Sequence, residues 1–160
     1  MSGALSDLLS PEVGLDVATG AEAVWSVLCD GWSYPLWVVG ATHMRDVDEA
    51  WPAVGARLHH SVGLWPFQLS DTTVVRRVED GSLLDLEARA FPAGTARVVL
   101  RLTPTGPDRC RVTIHEYARG GLGRFVPVAV QSPLIRARNT ESLSRLADIA
   151  RRRPASSRRG

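Results

Sequence analysis

Between residues 42 and 119 the side chains alternate with a period of two, and few folds can use so long a stretch of that kind. Such a period belongs to strands with one buried face. The stretch is broken by turn chemistry at Trp51-Pro52 to Gly55, Trp65-Pro66, Asp80-Gly81, Pro92 to Gly94 and Thr105-Gly106-Pro107-Asp108. These breaks predict six strands, at about 42–49, 56–64, 68–79, 83–91, 95–103 and 109–119. Connections this short force neighbouring strands to run antiparallel, because parallel pairs need long crossovers.

The flanks complete the plan. Val13, Leu15 and Val17 alternate with small or polar residues and predict a first strand. Thr19-Gly20-Ala21-Glu22 reads as a capping box opening a helix over about 21–30, with Val24, Val27 and Leu28 on one face and Gly31 as its stop. Trp32-Ser33-Tyr34-Pro35-Leu36-Trp37 predicts a second short helix or tight loop ending at Gly40. After a hinge at Gly120-Gly121-Leu122-Gly123 comes a long helix. It begins either near Phe125 or at Ser132-Pro133, carries an apolar stripe of Leu143, Leu146, Ile149 and Ala150, and ends before Pro154. Seven strands and one long helix specify an α+β fold with the helix packed on one sheet face. Residues 1–153 are expected to form a single domain, with 154–160 a disordered basic tail.

The composition, 44% hydrophobic and 22% charged over 160 residues, is that of a soluble globular domain large enough to bury a core without disulfides or a structural metal. All 19 basic residues are arginine. The absence of lysine excludes a Schiff-base or lysine general-base mechanism and the P-loop phosphate site. Residues 136–160 hold eight arginines against Glu141 and Asp148, a balance of +6, whereas residues 1–135 balance at −4. A basic end can signal nucleic acid, but a solvated helix face and frayed terminus are the plainer reading, and no nucleic-acid partner is expected. Cys29 and Cys110 lie far apart and read as free thiols in a reducing compartment. The first residues lack the pattern of a secretory signal, and no stretch is long and apolar enough to span a membrane, so a cytoplasmic location is expected.

Strand parity singles out candidate site residues. Leu84, Leu86, Ala88 and Ala90 share a face, as do Ala96, Val98, Leu100 and Leu102. His60 falls with Leu58, Val62 and Leu64, and Glu116 with Val112 and Ile114. On the last helix Asn139 lies four residues before Leu143. Three polar residues are thus aimed at the inner face, where they either find structural partners or line a partly polar cavity. His59 and His60 point to opposite faces and cannot share one ion, so no metal is expected. The five tryptophans fall within the first 65 residues, several between helix and sheet, as core corners or as the wall of a ring-binding site.

Four phrases carry a family resemblance: Ala21-Glu22-Ala23-Val24-Trp25 with Asp30 and Tyr34-Pro35-Leu36-Trp37; Val54-Gly55-Ala56-Arg57-Leu58-His59-His60; Arg109-Cys110-Arg111-Val112-Thr113-Ile114 with Glu116; and Arg138-Asn139-Thr140-Glu141-Ser142-Leu143-Ser144-Arg145-Leu146. With the element order, they make residues 12–152 resemble the START-related superfamily (SRPBCC) of polyketide cyclases/dehydrases, lipid-transfer domains and the birch-pollen allergen. The resemblance implies a helix-grip fold, a curved seven-stranded antiparallel sheet around the C-terminal helix, with an apolar cavity between them. It implies binding of a small hydrophobic ligand (lipid, polyketide or aromatic metabolite) without a cofactor. Trp37, His60, Val62, Leu86, Leu100, Glu116 and Asn139 are the expected ligand-binding residues. The alternative is a cofactor-independent cyclase/dehydratase. Its acid/base groups would be His60 and Glu116, whose pKa values burial would move toward neutrality. Oligomeric state is left open, with a dimer among the options.

Overall fold

The computed structural model describes residues 12–62, 69–90, 94–119 and 128–153. The elements are β1 (Glu12–Val17), α1 (Ala21–Cys29), a 3₁₀ turn (Gly31–Ser33), α2 (Tyr34–Trp37), β2 (Ala41–Val47), β3 (Arg57–Val62), β4 (Leu69–Glu79), β5 (Leu83–Ala90), β6 (Gly94–Gly106), β7 (Arg109–Ala118) and α3 (Val128–Arg152). The seven strands form one antiparallel sheet in the order β1-β7-β6-β5-β4-β3-β2. Six of them are a simple meander; β1 returns to pair with β7, because it precedes the two short helices.

Hairpin chemistry sets the meander. Gly81, at the β4–β5 turn, has φ 73°, a value that L side chains rarely adopt. The long helix buries its stripe on the sheet: Leu143, Leu146, Ala147 and Ala150 pack with Leu58, Leu84, Leu100, Leu102 and Val112. From α1, Val24, Val27 and Leu28 join the same core. Gly31 follows α1 where a Cβ would stand 2.7 Å from Leu58 and Val47, so the chain turns there in contact with the core. Arg153 ties the end of α3 to the end of α1, donating to the Ser26 carbonyl at 2.8 Å and to Asp30 at 2.7 Å.

Three local expectations change. Gly20, not Thr19, is the N-cap of α1, and no side chain caps it; the Gly20 carbonyl accepts from Ala23 N–H instead. The last helix is described from Val128 and has Ser132 and Pro133 inside it, so Pro133 offers no N–H to the Ala129 carbonyl; the other expected start, near Phe125, lies outside the described residues. On β5 the far side is not simply solvated: Leu83 and Asp85 are buried there, and Asp85 is held by the Arg97 guanidinium, one bond at 2.6 Å. The expected tail, 154–160, lies outside the described residues.

Candidate functional site

Where α3 leaves the close-packed core, the sheet and the helix enclose a cavity of about 250 Å³. Its room comes from small side chains. Ala88 on β5 faces Ala96 on β6, and both line it. Val98, Leu86 and Ile114 form the sheet wall, Trp37 and Val38 the wall from α2 and the chain just after it, and Asn139 and Ser142 the helix wall.

Polar groups are set into these walls as two separate units. In the first, His60 Nε2 and Thr73 Oγ1 are hydrogen-bonded at 2.9 Å, and the imidazole stacks on Tyr34 with ring centroids 5.3 Å apart. Burial, with Arg45 and His59 adding to it, holds His60 down to about 4, so its ring is neutral at pH 7. Burial pushes the Tyr34 phenol up to about 12, against the effect of Thr73, so it also stays neutral. In the second unit the Arg138 guanidinium donates to Glu116 Oε2. Glu116 is 7% exposed, whereas the Arg138 side chain is 41% exposed and reaches water. The Ser142 hydroxyl accepts from Val39 N–H at 3.1 Å, which joins α3 to the chain after α2. His60 Nδ1 and Asn139 Nδ2 are buried and, among the described residues, have no partner.

Asp71 completes the lining. It stands directly opposite His60 in the β3–β4 register and so shares its face. Burial pushes its carboxyl up to about 6, against the Thr72 N–H and the Arg89 charge.

Of the expected ligand-binding residues, Trp37, His60, Leu86, Glu116 and Asn139 line this one cavity. Leu100 does not: it is fully buried between Leu84 and Ile114 in the packed core. Val62 closes β3, and its side chain lies outside the described residues. Tyr34, Asp71, Thr73 and Arg138 were not singled out. The alternation Asp71, Thr73, Val75 in β4 carried the signal for two of them. The tryptophans divide: Trp37 lines the cavity, Trp25 and Trp51 bond Asp80 and the Leu28 carbonyl, Trp32 is exposed, and Trp65 lies outside the described residues. Among the described residues no three His, Cys, Asp or Glu side chains converge as metal ligands, and no helix is long and apolar enough to cross a membrane.

The family described as polyketide cyclase/dehydrase and lipid transport matches residues 12–151. The chain belongs to this family. A search of curated proteins returns no match. Among solved structures, the Zhui aromatase/cyclase from Streptomyces sp. R1128 is 15% identical, with a TM-score of 0.67 over 92% of this chain and 96% of that one. Norcoclaurine synthase from Thalictrum flavum, in complex with dopamine and hydroxybenzaldehyde, is 16% identical, with a TM-score of 0.66 over 95% and 94%. A START superfamily protein from Mycobacterium smegmatis is 18% identical, with a TM-score of 0.61 over 87% and 92%. At these identities the likeness shows the fold alone, and that fold is the helix grip.

Proposed function

We propose that the cavity binds a small hydrophobic molecule of one or two fused rings, an aromatic or polyketide-type metabolite rather than a long-chain lipid. The observation that carries this reading is the volume, about 250 Å³, between walls that are chiefly Trp37, Val38, Leu86, Val98 and Ile114. A dry apolar cavity of about 150 Å³ holds benzene, so this one accommodates a bicyclic framework and is short for an extended acyl chain. Aromatic walls from Trp37 and Tyr34 suit a flat ring.

The polar groups support holding a ligand over turnover by His60 and Glu116. Glu116 is committed to Arg138, and the neutral His60 ring has its Nε2 committed to Thr73. Filling the space is the test. Ala96→Phe places a ring where the ligand would sit. Displacement of a naphthalene-type fluorescent probe should show affinity falling at least about tenfold, with the melting temperature unchanged or raised. Undiminished affinity in a folded variant would remove the proposal.

A further inference from the structure

We infer that Asp71 accepts a hydrogen bond from a hydroxyl group on the buried end of the ligand, so that the cavity selects hydroxylated aromatic molecules over their bare hydrocarbon frameworks. This rests on the ring-binding reading above and adds to it the chemical group that is recognised.

The polar groups around the cavity differ in what already holds them. Glu116 has Arg138; His60 has Thr73 and the Tyr34 ring, while its Nδ1, like Asn139 Nδ2, is sealed and without a partner among the described residues. Asp71 lines the same cavity at 6% exposure, and Thr72 N–H donates to its Oδ1 at 2.6 Å. Among the described residues no hydrogen bond reaches its Oδ2, and no guanidinium forms an ion pair with the carboxylate. Arg45 is spent on the backbone: its Nη2 donates to the carbonyls of His60 and Asp71 at 3.4 and 3.3 Å. Oδ2 is not among the sealed atoms without a partner; a bare ring that covered it would leave the charge unbonded, which is costly. A ligand donor avoids that cost, and a bond to a charged acceptor is about twice as strong as a neutral one.

The surroundings select a neutral donor. Arg45 lies against the Asp71 backbone, and the charge of Arg89 acts on its carboxyl from β5, so a ligand ammonium would be brought toward two positive groups. A ligand carboxylate would meet Asp71 itself. A phenolic or alcoholic hydroxyl avoids both conflicts, and the ring that bears it fits between Trp37, Leu86 and Ile114.

The groups facing Asp71 are His60 from β3, Tyr34 from α2, Arg45 from β2 and Arg89 from β5. His60 and Tyr34 stay neutral between pH 5 and pH 8. Asp71, pushed up to about 6, is the member of this set that changes charge there. Once protonated it becomes a donor and loses its advantage for a hydroxyl.

The experiment compares 2-naphthol with naphthalene by calorimetric or fluorescence titration of the whole chain. At pH 7.5 the wild type should prefer 2-naphthol by roughly tenfold. The preference should shrink severalfold at pH 5, and Asp71→Asn should bring the ratio of the two affinities close to one. Equal affinities in the wild type, or a preference that survives in Asp71→Asn or is flat with pH, would overturn the assignment. Should Asp71→Asn fail to fold, the pH series on the wild type decides alone. If neither compound binds at any pH, the cavity reading fails and this inference falls with it; if naphthalene binds and 2-naphthol is no better, only the role of Asp71 falls.

Discussion

The space between sheet and α3 has a filled end and a hollow end, built from the same strands and the same helix. At the filled end Leu84 faces Leu100, and Leu143 and Leu146 close over them. Two steps along, Leu86 faces Val98, and two further Ala88 faces Ala96. The helix changes in the same sense, from Leu146 and Leu143 to Asn139. The backbone pairing of β5 and β6 is unbroken throughout. The cavity therefore arises from a gradient of side-chain volume on a regular frame, and stability and binding are assigned to different ends of it.

The sharpest way to test that division is to cut a large side chain at the filled end. Leu100→Ala should cost about 2–5 kcal/mol by chemical denaturation, while probe affinity in the folded protein stays within a few-fold of wild type. A large loss of affinity without loss of stability would erase the distinction. At the hollow end the expected sign reverses. The raised pKa of Asp71 means that its contribution to stability is fully present below the unfolded value, about 3.9, and is lost as pH rises through about 6. Asp71→Asn should therefore stabilise the protein at pH 7.5 by on the order of 2 kcal/mol, with the gap closing below pH 4. Melting curves across pH would show it, and a constant gap would refute it. The smallest effect belongs to the Glu116–Arg138 pair, whose partners differ in exposure. Arg138→Gln strands a buried carboxylate and should cost on the order of 1 kcal/mol. Glu116→Gln leaves an arginine that reaches water and should lower the melting temperature less. The reverse order would mean that Glu116 is better solvated than its burial indicates.

Much of this was legible before any coordinates. The period-two stretch and its turns specify the meander; parity places His60, Glu116 and Leu86 on the cavity side because alternate strand residues must face alternate sides, and the four-residue spacing from Leu143 does the same for Asn139 on the helix. Parity gives a face but not a depth. Leu100 shares its face with Val98 and Ala96, yet it lies in the core because it sits further toward the filled end. Asp71 escaped because its importance depends on its register partner, His60, and on where Arg45 sends its guanidinium, both properties of pairing rather than of one strand. Arg138 escaped because contact with Glu116 depends on where α3 crosses β7. Ser132-Pro133 misleads as a helix start because that pair reads as an N-terminus wherever it stands, here inside α3.

The facing alanines have one more consequence. The room they leave, about 250 Å³, is space that the chain's own side chains do not fill, so an occupant that binds only the folded form would stabilise it. A ligand present at a hundred times its dissociation constant contributes about 2.7 kcal/mol by mass action. If the proposed binding holds, resistance to heat and to proteolysis is a gauge of ligand supply, and two methyl groups on neighbouring strands set how sensitive that gauge is.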